Sequence, residues 1–203
     1  MSELLLAAAG GTAYSSGMPT DLDPDSDEAL MLAWRDGDTA AFDALYARHR
    51  VRLYRFLVRE TGSAAAGDEL FQETWLTLIR QRHAYQPWAR FSTWLLETAH
   101  RRLIDWHRRE KRHRWDSDLT DADAIADHCP TPEASAAGRQ AGARLLDCLG
   151  TLPPEQREAF LLKEEHALGL AEIARLTGVA AETVKSRVRY ALAKLKACMG
   201  ELL

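Results

Sequence analysis

The chain has 203 residues, a formal net charge of −4 and 46% hydrophobic residues, enough for one domain of ordinary size or two small ones. No apolar run approaches the roughly 20 residues that a membrane-spanning helix needs, so no membrane span is expected. The three cysteines, Cys129, Cys148 and Cys198, are far apart and form no CxxC pair, so neither a zinc site nor a disulfide framework is expected, and the reading is a cytoplasmic protein.

Residues 1–27 read as a flexible leader. "MSELLLAAAGG" carries Glu3 where a secretory signal needs basic residues, and its apolar run is short. An acidic run, Asp21, Asp23, Asp25, Asp27 and Glu28, closes the leader.

Residues 28–115 read as a helical module. Leu30, Ala33 and Trp34, then Phe42, Leu45, Tyr46, Leu53, Phe56 and Leu57, recur at helical spacing on either side of Asp36-Gly37-Asp38. "DELFQETWLTLIRQ" follows, with Leu70, Phe71, Trp75, Leu78 and Ile79 on an apolar side and Asp68, Glu69, Gln72 and Glu73 largely on the other. A last helix starts near Phe91. Leu95, Leu96, Ala99, Leu103 and Trp106 form its core side, and Trp94, Thr98, Arg101, Asp105 and Arg108 a second face. The run from Arg101 to Arg114 is strongly basic. Duplex DNA needs cations but little aromatic surface, whereas opened strands need both, because bare bases stack on rings. Rings and cations on one helix therefore suit single-stranded DNA.

Residues 116–138 are small, acidic and proline-bearing, through Asp116, Asp118, Asp121, Asp123 and Asp127, and read as a flexible acidic linker. Its His128-Cys129 pair reads as ordinary linker sequence.

Residues 139–203 carry a helix-turn-helix pattern. Ala171, Ile173, Ala174 and Leu176 make a short amphipathic helix, and Thr177-Gly178-Val179 supplies the turn. In the next helix Val184, Val188, Ala191 and Leu195 form one buried stripe. Lys185, Ser186, Arg189 and Tyr190 project away from it, a cationic and hydroxyl-bearing face that suits the major groove. The fold class expected is all-α: two small helical domains on a tether, the second a helix-turn-helix, with strands absent from the pattern.

"LPPEQREAFLLKEEHALGLAEIARLTGVAAETVKSRVRYALAKL", "DELFQETW" and "FSTWLLETAHRRLIDWHRREKR" together resemble bacterial RNA polymerase sigma factors of the extracytoplasmic-function group. The resemblance covers nearly everything except leader and linker. It implies that residues 28–115 correspond to sigma region 2 and residues 139–203 to region 4. Lys163, Thr183, Lys185, Ser186, Arg189 and Tyr190 would face the −35 element. Tyr85, Trp88, Trp94, His100, Arg101, Asp105, Arg108 and Arg109 would meet the −10 DNA, with Trp94 left between packing and DNA contact. Asp68, Glu69, Gln72 and Glu73 would dock on core polymerase. The partners implied are core RNA polymerase and promoter DNA, duplex and single-stranded, with an anti-sigma factor left open. The chain departs from the family pattern at Ala180, Glu182 and Ala167, where a capping Ser, a Gly and a turn Gly are usual.

No Walker-type phosphate loop and no catalytic constellation is present, so no enzyme activity, cofactor or metal is expected. Two other readings stay open on the residues alone. One is a helix-turn-helix regulator acting on duplex DNA without polymerase. The other is a small metal-dependent helical enzyme using His128, Cys129 and scattered donors.

Overall fold

The computed structural model describes residues 23–87, 90–116 and 136–200. Four helices form the N-terminal unit: α1 (Asp27–Arg35), α2 (Thr39–Thr61), α3 (Ala64–Gln81) and α4 (Phe91–Asp116), with a 3-10 turn at Arg82–Ala84. Four more form the C-terminal unit: α5 (Ala136–Gly150), α6 (Pro154–Glu164), α7 (Leu170–Thr177) and α8 (Ala181–Met199). The all-α expectation holds, and no strand occurs among the described residues.

Local chemistry sets the helix ends. Ser26, Asp38 and Ser63 cap α1, α2 and α3 by accepting from backbone N–H groups of the first turn. Gly62 and Gly178 take left-handed conformations that close α2 and α7. Ala180, at the start of α8, offers no side-chain acceptor.

In the N-terminal unit Met31, Leu45, Leu53, Phe56, Leu57, Leu70, Trp75, Leu78, Phe91, Leu95, Leu96 and Leu103 are buried. Helices α2 and α3 approach closely at Gly67, where an added Cβ would lie 2.5 Å from Val58 Cγ2 and 3.1 Å from Val58 Cα. In the C-terminal unit the stripe of Val184, Val188, Ala191 and Leu195 is buried as its spacing predicts. It packs α8 on α6, α7 and α5.

The cysteines correct the sequence reading. Cys148 on α5 and Cys198 on α8 form a disulfide, with Cα atoms 5.8 Å apart. Fifty residues separate them, and only the packing of α5 on α8 brings them together. No spacing motif announces such a pair.

The two units also pack on each other, which a bare tether does not predict. Arg157 of α6 donates to the Glu60 carbonyl at 2.7 Å, and its Nε lies 3.6 Å from the Glu60 carboxylate. His100 Nδ1 of α4 meets Glu158 Oε1 of α6 at 2.5 Å. Arg59 pairs with Glu165, Arg175 lies 3.9 Å from Glu97, and His166 sits edge-on to Phe56 at 5.2 Å. Burial pushes Glu60 up to about 8, against the pull of Arg157. Burial, with the charges of Arg52 and His49 behind it, holds His166 down to about 4. Most of the 116–138 linker, His128 and Cys129 included, lies outside the described residues.

Candidate nucleic-acid interface

Three surfaces carry the residues that the sequence singles out. On α8, Thr183, Lys185, Arg189 and Tyr190 are exposed and Ser186 and Arg187 half-buried, while Val184 and Val188 face inward. A 3.6-residue repeat puts the apolar stripe and the polar face on opposite sides of one cylinder. The Arg189 guanidinium lies over the Tyr190 ring at 5.0 Å, which leaves a preformed flat cation at the surface. Ser186 donates to the Thr183 carbonyl at 2.8 Å. Glu182 lies at the positive end of α8, and its carboxylate is 3.6 Å from Lys185 Nζ. The departure at Glu182 thus places a carboxylate beside one of the cations of this face. Lys163 is half-buried near the end of α6.

On α4, Arg101, Asp105, Arg108, Arg109 and Arg112 are exposed. Asp105, Arg108, Arg109 and Arg112 line an open groove of about 640 Å³. Thr98, assigned to the same face by spacing, is instead buried, its hydroxyl donating to the Trp94 carbonyl at 3.0 Å. Trp106 packs half-buried against the core, as expected.

Three residues of the proposed −10 set sit differently from a bare DNA surface. Tyr85 is buried, its ring 5.3 Å from Trp94 and 6.5 Å from Phe91. It therefore supports Trp94 from below and presents no face to a base, and burial beside Glu28 and Asp27 keeps its hydroxyl protonated. His100 is buried against Glu158. Trp94 itself is half-buried. Trp88 lies outside the described residues.

On α3, Asp68, Glu69 and Gln72 are exposed and Glu73 half-buried. Glu69 lies 3.7 Å from Arg109 and Glu73 3.8 Å from Arg102, whose guanidinium also donates to Thr77 Oγ1 at 2.7 Å. The acidic face of α3 and the basic face of α4 are thus neighbours held in register by ion pairs. Spacing missed Leu76, a turn beyond Gln72 and 49% exposed. Its apolar side chain lies about one helical turn from Gln72 and Glu73 on the same helix.

Family models for sigma-70 region 2 and sigma-70 region 4 match residues 45–113 and 142–195. They span α2 to α4 and α5 to α8. The chain is 34% identical over 175 residues to the RNA polymerase sigma factor CarQ of Myxococcus xanthus, covering 85% of this chain and 97% of that one.

This chain is a sigma-70 family protein.

It is also 32% identical over 177 residues to the ECF RNA polymerase sigma factor SigM of Mycobacterium tuberculosis, covering 87% of this chain and 86% of SigM, and so belongs to the extracytoplasmic-function (ECF) group. The fold matches the sigma factor RpoE of Bartonella quintana, solved with the anti-sigma factor NepR, at TM-score 0.69 and 20% identity over 80% of this chain and 98% of that one. It also matches CnrH, solved with the cytosolic domain of CnrY, at TM-score 0.61 and 24% identity, over 84% of this chain and 95% of that one. As a sigma factor the chain directs transcription initiation with core RNA polymerase at promoter DNA. Among the described residues no helix is long and apolar enough to cross a membrane.

Proposed function

We propose a division of labour among three surfaces. The face of Asp68, Glu69, Gln72 and Glu73, with Leu76 as its apolar anchor, docks on core polymerase. Lys185, Ser186, Arg189 and Tyr190 of α8, with Thr183 and Lys163, read −35 duplex. Arg101, Asp105, Arg108 and Arg109 hold the opened −10 strand, with Trp94 seated on Tyr85, together with His100 and Trp88. Each stacked base contributes roughly 1–3 kcal/mol, comparable to the few kcal/mol of unstacking it. Capture of the opened strand therefore stabilises the melted state without ATP, and the protein catalyses no reaction of its own. The cytoplasm is the place for such a partner of polymerase.

The observation that carries this reading is the pairing of a solvent-facing cationic helix face on α8 with a separate basic face on α4, the helix that also carries the half-buried Trp94. Each lies inside the region that its family model matches. In the docked arrangement Glu158 covers His100, so use of His100 on DNA requires the C-terminal unit to move off α4. An anti-sigma factor is a further partner in this proposal. Support comes from the fold's likeness to RpoE, solved with its anti-sigma factor.

Run-off transcription with purified core polymerase tests the division. Lys185→Ala with Arg189→Ala should abolish −35-dependent transcripts while core binding persists. Loss of core binding in that variant would contradict the assignment. A protein that binds duplex tightly yet never joins core would point to the duplex-only regulator instead.

A further inference from the structure

Helix α2 carries a charge pattern that none of the three surfaces uses. Arg48, Arg52, Arg55 and Arg59 recur at spacings of four, three and four, so they share one stripe. Val51, 40% exposed, lies beside it. At helical rise the stripe is about 16 Å long. Together with Glu165 these side chains line an open groove of about 420 Å³.

Carboxylates already occupy both ends. Arg48 donates to Asp27 Oδ1 at 3.0 Å and to the Asp25 carbonyl at 2.7 Å, and Arg59 pairs with Glu165. The two central arginines, Arg52 and Arg55, have no hydrogen bond or ion pair among the described residues. Arg52 nevertheless projects a field across the seam, since after burial its charge does most to depress His166. Two uncompensated guanidinium groups one turn apart, with an exposed valine at the same level, form a site with unmet demand for anions.

We propose that this stripe docks an acidic segment of a partner protein, with carboxylates on Arg52 and Arg55 and an apolar side chain on Val51. The ends of the groove favour a peptide over nucleic acid. A phosphate backbone is charged at every step and would meet Asp27 at one end and Glu165 at the other, whereas a peptide can confine its carboxylates to the middle of the groove and leave its ends uncharged. An extended segment of about five residues, at roughly 3.3 Å each, fits between them. Because Glu165 belongs to the C-terminal unit and Arg52 to the N-terminal one, the occupant touches both units at their seam.

Fluorescence anisotropy of a labelled, end-capped Gly-Glu-Leu-Glu-Gly peptide with the full-length protein tests this, with a hexathymidine strand as the competing probe. Arg52→Glu with Arg55→Glu should weaken the peptide by about tenfold or more, and Arg187→Glu with Arg189→Glu on α8 should leave it nearly unchanged. The conservative Arg52→Lys with Arg55→Lys should fall between, because lysine keeps charge but loses the planar fork. Unchanged thermal melting of the α2 variants shows that they fold. The proposal is overturned if wild type does not bind the peptide, or if the α2 and α8 reversals weaken it equally, which marks diffuse charge. It is also overturned if the α2 reversal weakens the DNA strand and spares the peptide.

Discussion

Ala167 holds φ +52° in the turn between α6 and α7, the one non-glycine residue with positive φ among those described. An alanine there pays roughly 1 kcal/mol of steric strain that glycine does not. Ala167→Gly should therefore raise the chain's resistance to urea by up to about 1 kcal/mol, offset in part by glycine's greater freedom when unfolded. A lower unfolding midpoint would contradict the strain. The resemblance marked this position as a departure from a usual turn glycine, and the structure supplies its left-handed conformation. The α8 stripe was legible in the sequence, since one buried face at helical spacing leaves little freedom for the other. Tyr85 and His100 were not. Their residue types and places suggested DNA contact, and only packing reveals that Tyr85 supports Trp94 and that His100 is covered by Glu158.

At the scale of helices, α2 and α3 touch through Gly67. A methyl group there would press on the Val58 side chain and backbone, so Gly67→Ala should destabilise the N-terminal unit by about 1–3 kcal/mol. Chemical denaturation followed at the buried Trp75 reads this directly, and an unshifted midpoint would mean that the two helices slide apart at no cost. The Cys148–Cys198 bridge closes a 50-residue separation, and reduction should cost the C-terminal unit about 3–4 kcal/mol. Melting with and without dithiothreitol, beside Cys148→Ser, checks it. Helix identity and order followed from periodicity and capping residues. The disulfide did not, because it depends on which helices become neighbours, and periodicity within a helix is silent about that.

For the whole molecule, the seam between the units is the feature that sequence reading did not foresee. Its polar contacts join residues 58 and 97 positions apart, beyond the reach of any local pattern. Two buried groups give it a pH signature. Glu60, raised to about 8, favours the packed state below pH 4.5 and loses that contribution as pH climbs to about 8. His166, lowered to about 4, contributes above pH 6.5 and loses its contribution as pH falls to about 4. The two slopes oppose one another between roughly pH 4.5 and 6.5, so stability should plateau there and fall on either side. Glu60→Gln should flatten the alkaline limb and turn the plateau into a rise from about pH 4 to 6.5, where His166 then acts unopposed. Thermal melting across pH 4 to 9 would contradict the account if the alkaline limb survives that substitution.

The central claim is that one chain captures opened DNA on α4 and reads paired DNA on α8 while joined to polymerase. Permanganate footprinting of a promoter with core polymerase tests it most directly. Wild type should render thymines near the start site reactive. Arg101→Ala with Arg108→Ala should abolish that reactivity while the −35 footprint persists. Equal thymine reactivity in wild type and variant, or none with either, would contradict it.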